Sequence, residues 1–241
     1  MISVITVVYN AEKCIEKTIQ SVINQKNVEI EYLIIDGQSS DNTLKIINQY
    51  KDSIDILISE KDNGIYDAMN KGILNSHGEW LFFLNAGDIF YTDTVLSDLI
   101  SKNLEKKDII YGNVCGFDSI IRKSPTYFNK KSVLLGSMIC HQAILANRNT
   151  FTNNLFSLDY KIISDRIWLH KALNHSASLK YVDIPISYYD MTGVSMNVTK
   201  MDTELIRYIK SNGFIWIFIF LIRKTIFRNV KKYLLRLKNG K

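Results

Sequence analysis

Four carboxylates stand where apolar runs give way to polar turns or helix starts: Asp36, Asp62, Asp88 and Asp165. Each suits a different chemistry. Asp36 closes the run I-I-D-G-Q-S-S-D-N-T, where a carboxylate can accept a hydrogen bond from the N–H of a nucleobase. Gly37 beside it would let the main chain approach a ligand closely. The same Asp can instead simply end a strand and cap the next helix. Asp88 ends G-E-W-L-F-F-L-N-A-G-D and offers a hard oxygen to Mg²⁺ or Mn²⁺. Such ions take one or two protein carboxylates together with substrate phosphates; otherwise it is an ordinary turn residue. Asp165, in I-S-D-R-I-W, sits at a helix start, as a general base that takes a proton from a hydroxyl or as a helix N-terminal acid. His141-Gln142 precedes a short apolar run and can hydrogen-bond a sugar or a phosphate. Asp62 and Asn70 bracket a helix start, the kind of place that attracts phosphate. Their plainer reading is a solvated turn and a packed helix residue.

Strands and helices must alternate for these residues to meet. Ser3–Val8 is a β-branched run that stops at Tyr9-Asn10, and helical spacing follows over Glu12–Gln25. Glu31–Ile35 is the second strand, Leu44 to Tyr50 carries the next helix, and Ile54–Ile58 is the third strand. A helix over Ile65–Leu74 leads into the fourth strand, Trp80–Leu84. This alternation predicts an α/β fold with a doubly wound, mostly parallel sheet. In such a sheet the strand ends at Asn10, Asp36 and Asn85–Asp88 lie along one edge, where open α/β sheets bind ligands. The second half is less regular. Strands are expected at Asp108–Asn113, Val114–Ile121, Ala143–Ala146, Leu179–Val182 and Ile184–Tyr189, with a helix at Ser164–Leu173.

Composition bounds the class. The 241 residues are 46% apolar and 22% charged, with only 2 prolines, an ordinary globular balance. Cys14, Cys115 and Cys140 are odd in number and scattered, so reduced thiols are expected rather than a disulfide frame or a metal site. The N-terminal residues carry no basic region or cleavage site of a signal peptide, so a cytoplasmic location is expected. The net charge of +6 is uneven: residues 205–241 hold ten Lys or Arg and no Asp or Glu, leaving twenty basic and twenty-four acidic residues in 1–204. That acidic remainder argues against a nucleic-acid partner.

Taken in order, V-I-T-V-V-Y-N, I-I-D-G-Q-S-S-D-N-T, D-N-G-I-Y-D-A-M-N-K-G and G-E-W-L-F-F-L-N-A-G-D resemble the family 2 glycosyltransferases. L-N-A-G-D followed by C-H-Q-A and S-D-R-I-W-L is similar to the colanic-acid and exopolysaccharide type. The resemblance covers roughly residues 1–195. It implies a GT-A nucleotide-sugar fold and inverting transfer from a UDP-sugar, favoured over a GDP-sugar. Asp36 would contact the base, Asp62 and Asn70 would line the nucleotide pocket, and Val7, Tyr9 and Asn10 would flank the nucleotide. Asn85, His141 and Gln142 would face the donor sugar or acceptor, Asp88 would hold Mg²⁺ or Mn²⁺, and Asp165 would be the catalytic base. The chain departs from the common acidic motif at Asn85 and Gly87, which leaves Asp88 as its single carboxylate.

The tail has its own pattern. Phe214–Ile222 is a nine-residue apolar run, short of the about 20 residues that span a bilayer. Ile226, Val230, Tyr233, Leu234 and Leu237 share one helical stripe among Arg228, Lys231, Lys232 and Arg236. An amphipathic helix through 214–238 lying on an anionic membrane surface is expected, or else a helix packed on the domain. The expected division is therefore a catalytic domain, 1–204, and a membrane-associating tail, 205–241, on the inner face of the cell membrane, with a lipid-linked glycan as acceptor. Two other readings stand beside this one. A sugar nucleotidyltransferase would need a Gly-rich phosphate loop, which Val7–Ala11 lacks. A non-catalytic assembly subunit would have lost its metal site.

Overall fold

A computed structural model of the chain describes residues 1–103, 106–189, 198–213, 216–217, 219–223 and 225. Strand β1 (Ile2–Val8) is buried along its whole length, as its β-branched sequence requires. Its even-numbered apolar residues Ile2, Val4 and Val8 enter one core, and Ile5 and Val7 enter the other. Strands β2 (Ile30–Asp36) and β4 (Trp80–Phe83) divide in the same way, Tyr32, Ile34 and Phe82 against Leu33, Ile35, Leu81 and Phe83. A sheet with an apolar layer on each face follows directly from period-2 geometry. Helix α1 (Ile15–Ile23) covers one face with Ile15, Thr18, Ile19 and Val22 buried. Helix α3 (Ile65–Asn75) covers the other with Ala68, Met69 and Ile73.

Between these helices lies α2 (Thr43–Ile47), shorter than the spacing predicts, because the chain tightens into a 3₁₀ turn, Asn48–Ser53, where Tyr50 leaves helical geometry. Strand β3 (Ile56–Ser59) then forms the sheet edge. The remaining elements are β5 (Ile89–Phe90), α4 (Val95–Ser101), β6 (Ile109–Gly116), β7 (Ile121–Arg122), α5 (Lys130–Leu134), β8 (Ile144–Asn147), α6 (Ser164–Asn174), β9 (Leu179–Tyr189) and α7 (Val198–Ser211).

The strand order is β3-β2-β1-β4-β8-β6-β9-β5, with β7 on β6. This corrects the expected mostly parallel, doubly wound sheet: four pairings are parallel and four antiparallel. Strand β8 runs antiparallel to both of its neighbours, β4 and β6. Strand β5 follows β4 closely in the chain yet pairs with β9 at the far end of the order. The sheet therefore curls back towards α1, whose Thr18 hydroxyl donates to the Asp88 carbonyl at 2.8 Å.

The boundary expected at 204/205 falls inside α7. Leu205, Tyr208 and Ile209 are buried against Leu134, Ile163 and Ile167, and Ile217 and Phe220 of the apolar run join them. These five residues thus contribute to the folded body on α5 and α6, while Ile219, Leu221 and Ile222 lie exposed. The stripe Ile226–Leu237 expected to face a membrane lies outside the described residues, and among those described no helix is long and apolar enough to cross one.

Candidate active site

The ends of β1 and β2 build one wall. Asp36 is fully buried, and its carboxylate accepts the Ser39 N–H at 3.0 Å, the Ser39 hydroxyl, and the Ser59 hydroxyl at 2.7 Å. It thereby shapes the loop rather than presenting a surface to solvent. Ser39 Oγ in turn accepts the Asn10 N–H at 2.8 Å, and Asn10 Oδ1 accepts the Ser40 N–H at 2.8 Å, with Asn10 itself in the left-handed region at φ 48°. A side chain at Gly37 would collide with the Asp62 carboxylate and touch the Tyr9 ring, so this glycine lets Asp62 and Tyr9 close on the loop. Asp62 also accepts the Gly64 N–H at 2.8 Å, which orders the turn before α3. Tyr9 projects, 64% exposed, beside this wall. The buried Val7 accepts the Ala86 N–H through its carbonyl at 3.1 Å, tying β1 to the turn at residues 85–88. Val7, Tyr9, Asn10, Asp36 and Asp62 are thus brought together at the strand ends.

Asn70 is not part of that wall. It is buried, its Nδ2 donates to the Phe156 carbonyl at 2.8 Å, and its Oδ1 accepts the Phe156 N–H at 2.9 Å. Both polar ends of this amide, expected to contact the nucleotide, clamp the backbone at Phe156. Gln142 is tied into the fold through its main chain, where its carbonyl accepts the Ser187 hydroxyl at 2.6 Å.

A second wall centres on Asp165 in the first turn of α6. Its Oδ1 accepts the Arg166 N–H at 2.8 Å and lies 3.1 Å from the Tyr66 hydroxyl, whose proton the Ile162 carbonyl shares at 2.7 Å. Its Oδ2 lies 3.1 Å from His141 Nδ1, and the other ring nitrogen, Nε2, lies 3.0 Å from Asn85 Nδ2. Burial alone would raise the Asp165 pKa. The His141 hydrogen bond and electrostatic attraction, with the N–H and guanidinium of Arg166, outweigh it and hold the carboxyl below the ordinary aspartate value. Burial first, and then the charge of Asp165, push the Tyr66 hydroxyl well above the ordinary tyrosine range, so it remains a donor. Under His141 and Asp165 lies a small cavity walled by Leu81, Phe83, Phe151, Phe156 and Trp168.

Asp88 lies in the turn that joins the two walls, through Ala86 to Val7 and through Asn85 to His141. It is buried in the turn after β4, and its N–H bonds the Asn85 carbonyl at 3.0 Å. Gly87 before it takes φ 101°, a conformation in which side chains are strained, and gives its N–H to Thr18 Oγ1 at 3.0 Å. Among the described residues no group of three or more His, Cys, Asp or Glu could hold a metal ion. A single buried carboxylate fits a Mg²⁺ or Mn²⁺ shared with a phosphate ligand, not an all-protein cage.

Comparison with known proteins settles the class. The description "Glycosyl transferase family 2" matches residues 3–164. The chain belongs to that family. It is 28% identical over 214 residues to a PGL/p-HBAD biosynthesis glycosyltransferase of Mycobacterium bovis, covering 86% of this chain and 83% of the relative. That relative does not carry the colanic-acid or exopolysaccharide label suggested by the motif order. Among solved structures, S. aureus TarS 1-349 in complex with UDP-GlcNAc superposes with a TM-score of 0.71 at 17% identity, over 86% of this chain and 65% of that one. The mannosyltransferase PcManGT from Pyrobaculum calidifontis, in complex with GDP-Man and Mn²⁺, gives 0.65 at 14% identity, over 85% and 61%. The chain spans 38% of the longer TarS chain. These likenesses show a GT-A-like fold.

For this family 2 glycosyltransferase, sequence reasoning named Asp165, His141 and Asn85 separately and missed Tyr66 and Thr18. Tyr66 stands in D-N-G-I-Y-D with no spacing that announces a hydroxyl bonded 99 residues away. Cys140, beside His141, is held as a thiol, its pKa pushed up to about 12 by burial and by the charges of Asp165 and Asp88.

Proposed function

We propose that this glycosyltransferase moves one sugar, with inversion, from a nucleoside-diphosphate donor to a hydroxyl of a lipid-linked glycan. The glycan would be a surface polysaccharide under construction: capsule, exopolysaccharide or O-antigen. The observation that carries this reading is the largely enclosed carboxylate of Asp165, joined through His141 to Asn85 in the turn that also holds Asp88. The acceptor oxygen attacks the anomeric carbon from the face opposite the diphosphate. Asp165 takes the hydroxyl proton as the new C–O bond forms, and the old C–O bond breaks with its electron pair going to the phosphate oxygen. A base so placed contributes about 10²–10⁴-fold. Asp88 would hold Mg²⁺ or Mn²⁺, which when bound supplies positive charge beside the departing diphosphate. Tyr9, Asn10 and Asp62, with the buried Asp36 shaping their loop, would receive the nucleotide.

A uridine donor is favoured because the similar TarS structure holds UDP-GlcNAc, although the similar PcManGT holds GDP-Man. The lipid-linked acceptor is argued from the basic residues 205–241 and from the exposed apolar residues Ile219, Leu221 and Ile222. Together they suit the anionic inner face of a cell membrane. A screen of UDP- and GDP-sugars for hydrolysis or transfer, with membrane lipid extract as acceptor, tests the reading. Turnover with one donor, lost in Asp165→Asn while UDP still binds, is the expected result. Absence of UDP and GDP binding with and without Mn²⁺ would overturn it and favour a non-catalytic assembly subunit.

A further inference from the structure

Asp165 has one lone pair left for an incoming proton, and its position is set by its neighbours. Oδ1 already faces two donors, the Arg166 N–H and the Tyr66 hydroxyl. Oδ2 faces one, the His141 ring at 3.1 Å. An ionised carboxylate only accepts, so His141 Nδ1 must carry the hydrogen in this contact. The orientation of that single bond decides where the open lone pair of Oδ2 points.

His141 is itself held from behind. Its Nε2 lies 3.0 Å from Asn85 Nδ2, an N–H donor, so Nε2 is the acceptor and the ring is the neutral Nδ1–H form. The amide in this orientation leaves Asn85 Oδ1 buried without a hydrogen-bond partner. Leaving an acceptor unpaired is unfavourable, and the amide adopts the arrangement in which its N–H serves the imidazole. An Asp at position 85, as the common acidic motif has it, would place His141 between two carboxylates and favour the imidazolium. Asn85 and His141 thus depend on one another: the departure from the acidic motif and the neutral ring are one feature.

We propose that His141 is a positioning residue, oriented by Asn85, that aims the reactive lone pair of Asp165. This role differs from the sugar or phosphate contact expected from the sequence. It rests on the assignment of Asp165 as the base, and the test separates the two. His141→Ala lowers kcat about 10²-fold, the scale of a misplaced catalytic group, while the Kd for UDP by titration calorimetry stays within about twofold. His141→Asn, whose amide N–H can stand where Nδ1–H stood, recovers at least about tenfold of the loss; His141→Gln, which reaches towards Asn85 instead, does not. A purely structural role would not rank the two amides in this way. In ¹⁵N-histidine-labelled protein, His141 shows one protonated and one bare ring nitrogen, and Asn85→Asp converts both to protonated. Thermal melts of each variant confirm a folded protein. The proposal falls if His141→Ala keeps kcat within about threefold, if its loss appears in UDP affinity instead, or if Asn85→Asp leaves the ring signals unchanged. Should Asp165→Asn keep near-normal turnover, the base assignment falls, independently of His141.

Discussion

Asn70 grips the peptide backbone of Phe156 from both sides, giving its N–H to the carbonyl at 2.8 Å and taking the amide hydrogen at 2.9 Å. Phe156 in turn meets Tyr66 at 5.5 Å and Phe83 at 5.4 Å between ring centroids. This one amide therefore ties α3 to the apolar floor on which Asp165 and His141 rest. Asn70→Ala leaves two buried backbone groups of Phe156 unpaired, which costs about 2–4 kcal/mol at about 1–2 kcal/mol for each group. A thermal melt should show Tm lower by about 4–16 °C for a chain of this size. UDP affinity should stay within about twofold; a larger drop without a loss in Tm would return Asn70 to the nucleotide pocket.

The partnership was invisible in the sequence because one partner is main chain, 86 residues away. The strands behaved otherwise. The runs at β1, β2 and β4 were legible because burial on both faces selects unbroken β-branched and aromatic residues. Strands β6 and β9 read as two pieces each. Gly112 and Pro185 look like breaks, whereas the ladder passes them by shifting register around Asn113 and Pro185. The direction of β8 was not legible, since four apolar residues fit either sense of pairing. In the site, the acidic positions carried the signal. What they bond to did not, as His141 and Asp165 lie 24 residues apart and His141 and Asn85 lie 56 apart, with no periodicity to link them.

Glu31 anchors the opposite end of the sheet. Its carboxylate accepts the His77 N–H at 2.7 Å, the Gly78 N–H at 3.3 Å and the Ser3 hydroxyl at 2.5 Å, and it meets His77 Nδ1 at 2.6 Å. Burial raises its pKa, but these bonds together lower it below the ordinary glutamate value of 4.5. A depressed folded pKa means that the unfolded chain binds its proton first as pH falls. The stabilisation is therefore full above pH 4.5 and lost on descent through the lower folded value. Glu31→Gln should lower Tm at pH 7 and narrow the gap to wild type as the melts are taken to lower pH. An equal gap at all pH values would rule out the carboxylate as the source.

Gly37 leaves room for Asp62. In Gly37→Ala the added carbon meets the Asp62 carboxylate and the Tyr9 ring, so the loop must open. UDP affinity should fall about tenfold, a change of about 1.4 kcal/mol, with Tm little altered because the side chains that must yield are the exposed Tyr9 and the half-buried Asp62. Unchanged UDP affinity would remove Asp62 from the nucleotide pocket.

Asp88 offers one carboxylate where a cation cage needs several, so ion and nucleotide should bind together. Calorimetric titration of Mn²⁺ into the protein alone should give little heat, and into the UDP-loaded protein a clear isotherm. Asp88→Ala should abolish the second while leaving metal-free UDP binding in place. Tight Mn²⁺ binding without nucleotide, retained in Asp88→Ala, would place the ion elsewhere.

Two truncations separate the folded body from the tail. Removing residues 205–241 strips Leu205, Tyr208, Ile209, Ile217 and Phe220 from Leu134, Ile163 and Ile167, and cuts the Tyr208 hydroxyl from His170 Nδ1, 2.6 Å away. Full burial of each such side chain contributes about 1.5–3 kcal/mol, so this truncation should not yield a stable protein. Removing only 226–241 keeps every one of those residues and takes away six of the ten basic residues of 205–241. Its melt and its turnover with a water-soluble acceptor should match the full chain. Its binding to vesicles containing anionic lipid should weaken steeply, since each basic residue near such a surface contributes about 1 kcal/mol. Undiminished vesicle binding by the shorter truncation would shift the membrane contact to the exposed residues Ile219, Leu221 and Ile222, and Leu221→Ser with Ile222→Ser in that background would then be the variant to release it.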